Sequence, residues 1–164
     1  MENDAACFLK GEIFFNGEAD ENLLGITLGT GLGSVISNNH EVKDADLWCS
    51  PFRDGIAEDY LSTRWFLGRY FEWTGIRVKD VKSICETGEK EIVKEIFSEF
   101  GSNLKCFLEA QIIKFSPSKI IVGGNIAKAS QHFITYLDEL PVSVQIVTLG
   151  EDSALFGSAS TFAL

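Results

Sequence analysis

Basic residues are scarce in this sequence. Fourteen Lys and Arg stand against 24 Asp and Glu, a formal net charge of −10. A chain with that balance repels a phosphate backbone, which argues against nucleic acid as a partner. No basic amphipathic stretch is present to lie on a membrane surface. No apolar run is long enough to span a bilayer, and no signal-peptide pattern precedes the first acidic residues. The expected location is the cytoplasm. Cysteine pairs are also missing. Cys7, Cys49, Cys85 and Cys106 are widely spaced, with no Cys-x-x-Cys. Neither they nor His40 and His132 fall at zinc-ligand spacing. They read as thiols of a reducing compartment, and no bound zinc is expected.

What is present is enough for one domain with a real core: 45% hydrophobic residues, 13 of the 164 residues being Phe. The chain is organised around residues 23–36. A short apolar run from Leu23 to Leu28 reads as a strand. Gly29-Thr30-Gly31-Leu32-Gly33 follows, then a second apolar run to Ile36, with Asn38-Asn39 as a turn signal. The glycines therefore join two strands of a hairpin. A dinucleotide fingerprint needs G-x-G-x-x-G between a strand and a helix, and a P-loop needs Gly-Lys-Ser/Thr. Neither is met. Two readings stay open: an ordinary tight hairpin, or a turn whose consecutive amides cradle an anion.

Elsewhere the periodicity is coarser. Met1 to Gly11 reads as a short helix that Asn3 or Asp4 can cap. Asn16 to Asn22 is a polar loop. Glu41 to Gly55 loses all periodicity and reads as a long irregular loop, either functional or anchored to the surface by Trp48 and Phe52. Helical spacing returns over Glu58 to Trp73 and Asp80 to Thr87. It is longest over Glu89 to Phe115, where Ile92, Ile96, Phe100, Leu104, Phe107, Leu108 and Ile112 form one stripe and Pro117 stops it. Gly101 is a place where that helix could bend. Lys119 to Val122 is a buried strand. Gly123-Gly124-Asn125 then opens a helix to Leu137, and the pair serves either ligand approach or tight βα packing. A strand over Val142 to Val147 and a helix over Ser153 to Ala163 close the chain. This order predicts an α/β or α+β protein with helices covering a mixed sheet.

Taken together, these pieces resemble the ROK family of sugar kinases and related repressors, members of the actin-like ATPase (ribonuclease H-like) superfamily. The resemblance is carried by Glu2-Asn3-Asp4-Ala5 before a helix, by Leu28-Gly29-Thr30-Gly31-Leu32-Gly33, by Ile121-Val122-Gly123-Gly124-Asn125-Ile126-Ala127, and by the small-residue run from Ser153 to Ala159. It implies ATP-dependent phosphorylation of a hexose or N-acetylhexosamine, with ATP and Mg2+ as cofactors. Asp4 falls on the catalytic base and Asn3 on a sugar contact. Gly29, Thr30 and Gly31 fall on the phosphate-holding loop. Gly123, Gly124 and Asn125 fall on the adenosine-contacting turn.

The resemblance also has gaps. It covers residues 1–164 as the C-terminal, larger lobe of such a kinase, and the N-terminal lobe with its Asp-x-Gly phosphate loop has no counterpart in the sequence. The Glu-x-Gly-His sugar motif is replaced by Asp46-Leu47-Trp48-Cys49, which makes Asp46 and Cys49 the expected sugar contacts. The family's cysteine-rich zinc motif has no counterpart in Ser50 to Tyr60. A single lobe is expected to be a weak catalyst, and to pair with the missing lobe or with a second copy. Two other readings remain: a non-catalytic sugar-sensing member related to the repressors, and an interaction module.

Overall fold

The computed structural model describes residues 22–38 and 41–147. The helices expected over Met1 to Gly11 and Ser153 to Ala163 lie outside the described residues, as do Asn3 and Asp4. Five strands form one mixed sheet: β1 (Leu23–Leu28), β2 (Leu32–Asn38), β3 (Glu41–Asp44), β6 (Lys119–Gly123) and β7 (Ser143–Ile146). Their spatial order is β3-β2-β1-β6-β7. β1 and β2 are antiparallel, as are β2 and β3, whereas β6 runs parallel to β1 and β7 parallel to β6. The expected mixed sheet under helices is what the chain forms.

Alternation sorts the central strands onto two faces. Leu24, Ile26 and Leu28 point into the main core with Ile120 and Val122. Leu23 and Ile121 point the other way, into a smaller cluster with Val35 and Val147. The main core is completed by the long helix Lys90–Phe115, here α4, whose stripe buries Ile96, Phe100, Leu104 and Leu108 completely. Phe66, Phe97, Phe100 and Phe133 stack and edge against one another with centroids 4.6 to 6.3 Å apart, a geometry that favours rigid packing over a fluid core. Gly101 does not bend α4. It gives room to the Tyr136 ring, which would lie 2.5 Å from a Cβ at this position.

Asn22 fixes how β1 and β6 sit side by side. Its side-chain amide donates to the carbonyls of Phe115 and Ser116 at 3.0 Å each, satisfying the last turn of α4. Its own carbonyl accepts from the amide of Ser118 at 2.8 Å. The start of β1 is thus tied to the turn that leads into β6, and the strands run level with Leu23 opposite Lys119 and Thr27 opposite Gly123.

Four sequence expectations need correction. Glu41 to Gly55 is not irregular: it holds β3, a 3-10 turn over Leu47–Cys49, and a two-stranded hairpin of β4 (Pro51–Phe52) and β5 (Gly55–Ile56). β3 is an edge strand with three exposed residues of four, so it carries no alternation to read. Leu47 anchors the segment, whereas Trp48 is 44% exposed. The helix expected over Glu58 to Trp73 is two helices, α1 (Ala57–Tyr60) and α2 (Thr63–Thr74). The chain breaks at Leu61 and Ser62, both fully buried, so that the amide of Thr63 meets the carbonyl of Gly29 at 2.8 Å. Finally, Ile126 to Leu137 is a 3-10 stretch, Asn125–His132, kinked at Ala129, followed by a short helix α5 (Ile134–Leu137). Over so few turns a period of 3.0 and one of 3.6 leave the same apolar pattern. Asp80 to Thr87 is a helix as expected, α3 (Val81–Thr87), capped by Asp80.

Candidate functional site

Because β1 and β6 are parallel neighbours in level register, the turns that leave their C-terminal ends emerge side by side. One is Gly29 to Gly31 and the other is Gly123 to Asn125. Gly124 has φ 94 and ψ 177, a conformation essentially reserved for glycine. A Cβ there would lie 2.4 Å from the carbonyl oxygen of Leu28. The closest approach at this glycine is therefore to the chain's own backbone, which locks the two turns together.

The first turn is built differently. Neither Gly29 nor Gly31 takes a left-handed φ. Gly29 donates its amide to Gly31's carbonyl at 3.2 Å, and Leu32 donates its amide to a carboxylate oxygen of Glu58 at 3.0 Å. A Cβ on Gly31 would lie 2.9 Å from that same oxygen. A side chain at 31 would have to push the Glu58 carboxylate away from the Leu32 amide. Among the described residues the amides of Thr30 and Gly31 have no hydrogen-bond partner, and Thr30 is exposed. Two adjacent amides are thus left without an internal partner beside an exposed threonine.

In front of the two turns lies a cleft of about 480 Å³, within the range of small-molecule sites. Thr30 and Asn125 line it together, so the two predicted turns share one cavity. Val81, Ile126 and Ala129 supply apolar wall, and Thr63, Cys85 and His132 also face it. His132 stacks on Phe97 at 4.6 Å. Asp80 accepts from the amide and hydroxyl of Ser83 at 2.8 and 2.7 Å. The Ser83 hydroxyl and then its amide hold Asp80's carboxyl below the ordinary value, with Lys79 and Lys82 adding to the effect. Burial pushes the Cys85 thiol up, keeping it protonated near neutrality.

Asp46 and Cys49 are not in this cleft. They sit on the exposed 3-10 turn packed against β2, where the Leu47 amide donates to Ser34 Oγ at 2.9 Å. Asp46 is left-handed at φ 49, and the negative charge of Asp44 raises its carboxyl, with burial and a hydrogen bond to Asp44 adding to that. Cys49 Sγ contacts the Asp46 carbonyl at 3.5 Å. No trio of His, Cys, Asp and Glu side chains among the described residues is arranged to hold a metal ion. No helix among them is long and apolar enough to cross a membrane.

No protein-family model and no curated protein sequence matches the chain. Solved structures do. A candidate sugar kinase from Cytophaga hutchinsonii superposes with a TM-score of 0.84 at 20% identity, over 99% of this chain and 65% of its own. The fold is that of the ROK sugar kinases. A ROK family glucokinase from Streptomyces griseus, solved in complex with glucose and AMPPNP, gives a TM-score of 0.77 at 21% identity over 98% of this chain and 67% of its own. A ROK family transcriptional regulator, a homologue of the Escherichia coli MLC protein, gives 0.73 at 18% identity over 96% of this chain and 50% of its own. The chain thus spans about two thirds of the length of these kinases and half that of the regulator. The architecture is the actin-like ATPase fold, and at such identities the likeness carries the fold alone.

Sequence reasoning missed Thr63, Lys79, Lys82, Lys128, Gln131 and His132 as cleft residues, and Glu58 as the partner of the glycine turn. None stands in a motif. The packing of α3 against the 3-10 stretch brings the lysines, Gln131 and His132 together, whereas Thr63 and Glu58 reach the first glycine turn through the bonds Thr63 N–H to Gly29 and Leu32 N–H to Glu58.

Proposed function

We propose that this chain is the large lobe of an ATP-dependent kinase acting on a hexose or N-acetylhexosamine. The observation that carries the proposal is the meeting of the Gly29–Gly31 turn and the Gly123–Asn125 turn at one sheet edge, around one cleft. In α/β sheets that edge, beyond the strand C-termini, is the usual ligand position. The free amides of Thr30 and Gly31 and the Thr30 hydroxyl suit a phosphate, and the cleft is roomy enough for a nucleoside.

In this reading Thr30 and Gly31 hold donor phosphates, and Asn125 meets the nucleoside with Gly123 and Gly124 shaping the turn. Asn3 and Asp4 contact the sugar, and Asp4 takes the proton from the attacking hydroxyl. Mg2+ supplies charge neutralisation between the phosphates. Such ions are commonly held by one or two carboxylates together with substrate phosphates. Asp46 and Cys49 remain proposed sugar contacts from the resemblance alone. Phosphoryl transfer depends mostly on positioning, so one lobe without its counterpart turns over slowly.

The likeness to a ROK family transcriptional regulator favours a second reading, a sugar sensor of the same fold. One experiment separates the two. ADP release is followed with a panel of hexoses and N-acetylhexosamines, for the chain alone and for a two-lobed version. A kinase gives sugar-dependent turnover in the two-lobed version, and Asp4→Asn lowers it by about 10²- to 10⁴-fold while ATP binding persists. A sensor binds sugar with no turnover in either.

A further inference from the structure

The cleft collects positive charge in a chain that has little of it. The sequence has ten lysines, and Lys79, Lys82 and Lys128 all line this cavity. They come from two walls: Lys79 and Lys82 from the start of α3, Lys128 from the middle of the 3-10 stretch. Asp80 is the one carboxylate among the described lining residues; one of its oxygens accepts from Ser83, and Lys79 and Lys82 act on its charge. Lys82 reaches Glu86 at 3.8 Å in an exposed pair, a contact worth little in water. Lys128 makes no ion pair among the described residues. Three lysines thus line one cavity in a chain of net charge −10; the contacts of Lys79 and Lys82 are the Asp80 charge and the exposed Glu86 pair, and neither accounts for Lys128.

We infer that Lys79, Lys82 and Lys128 form a clamp for the polyphosphate tail of the phosphoryl donor, so that the cleft ranks ligands by their charge. The inference rests on the nucleotide reading above and adds how the donor is selected. Lysines from two neighbouring elements that line one cavity can both approach one tail. Exposed lysines act as point charges, so their contribution is additive and screened by salt. A donor of four negative charges gains more from them than a neutral nucleoside, which gains nothing.

The test is calorimetric titration of the full chain with adenosine, AMP, ADP, ATP and inorganic tripolyphosphate, at low and at moderate salt. The variants are K79Q/K82Q/K128Q and, as a control of equal charge change outside the cleft, K90Q/K94Q/K114Q. The clamp predicts wild-type affinity rising from adenosine to ATP. It predicts a loss of roughly tenfold in ATP affinity for the cleft variant, a flatter salt dependence, unchanged adenosine binding, and little change in the control. Equal losses in both variants, or an unchanged ratio of ATP to adenosine affinity, overturn it. If no nucleoside or nucleotide binds but tripolyphosphate does, and the cleft variant alone loses it, the nucleotide reading fails and the clamp stands. If tripolyphosphate and ATP both fail to bind, the clamp is wrong.

Discussion

The carbonyl oxygen of Leu28 lies where a side chain on Gly124 would have to go, 2.4 Å from its Cβ position. Leu28 ends β1 and Gly124 follows β6, so this contact holds the two glycine turns at one place on the sheet edge. Gly124→Ala meets both that oxygen and a backbone conformation that L-residues avoid. The expected cost is about 1–3 kcal/mol from the backbone conformation alone. Chemical denaturation measures it, and a variant as stable as wild type would show that the turns are not locked here.

Asn22→Ala tests the other end of the same strand pair. It removes both donors to Phe115 and Ser116, and the expected loss is about 1–2 kcal/mol. Hydrogen exchange should rise at the start of β6 more than in β2. Uniform change across the sheet would mean that Asn22 does not set the β1–β6 register.

Glu58 places a negative charge against the loop assigned to phosphate. Glu58→Gln keeps an acceptor for the Leu32 amide but removes the charge. A unit charge a few ångströms away is worth about 1 kcal/mol even at the dielectric of water. ATP should therefore bind several-fold more tightly to the variant while thermal stability stays equal or falls slightly. Weaker ATP binding with unchanged stability would contradict the placement of phosphate at Thr30 and Gly31.

Asp80 gives a pH-dependent contribution. Its folded-state value is lowered by the Ser83 hydroxyl and amide, so its stabilisation is present above the ordinary value of 3.8 and is lost as pH falls through the lower folded value. Asp80→Ala should lower the Tm near neutrality, and the difference from wild type should shrink in acid. A difference that holds constant down to the acid transition would assign the effect to something other than the cap.

Much of this arrangement was legible in the sequence, because the informative residues have local causes. The apolar runs at Leu23 and Ile120 are long enough to read as strands, and glycines after each mark their ends. Helix α4 carries its stripe from Ile92 to Ile112, about six turns. What stayed hidden depends on distant partners. The break at Leu61 and Ser62 exists because Thr63 bonds to Gly29. Edge strand β3 buries only part of Val42, and on α2 Phe66 and Tyr70 face the core while Phe71 is 40% exposed, a choice helical spacing alone does not make. The cleft lysines follow no spacing rule, since α3 and the 3-10 stretch meet only in the folded chain.

The central claim is that the two glycine turns form one nucleotide site, and it is tested most directly by titrating AMPPNP with Mg2+ into the isotope-labelled chain and following backbone amide resonances. The account predicts the largest shifts at Thr30, Gly31 and Asn125, saturating together with a single affinity. Shifts confined to one turn, shifts centred on Asp46 to Cys49, or no saturable shifts at either turn would contradict it.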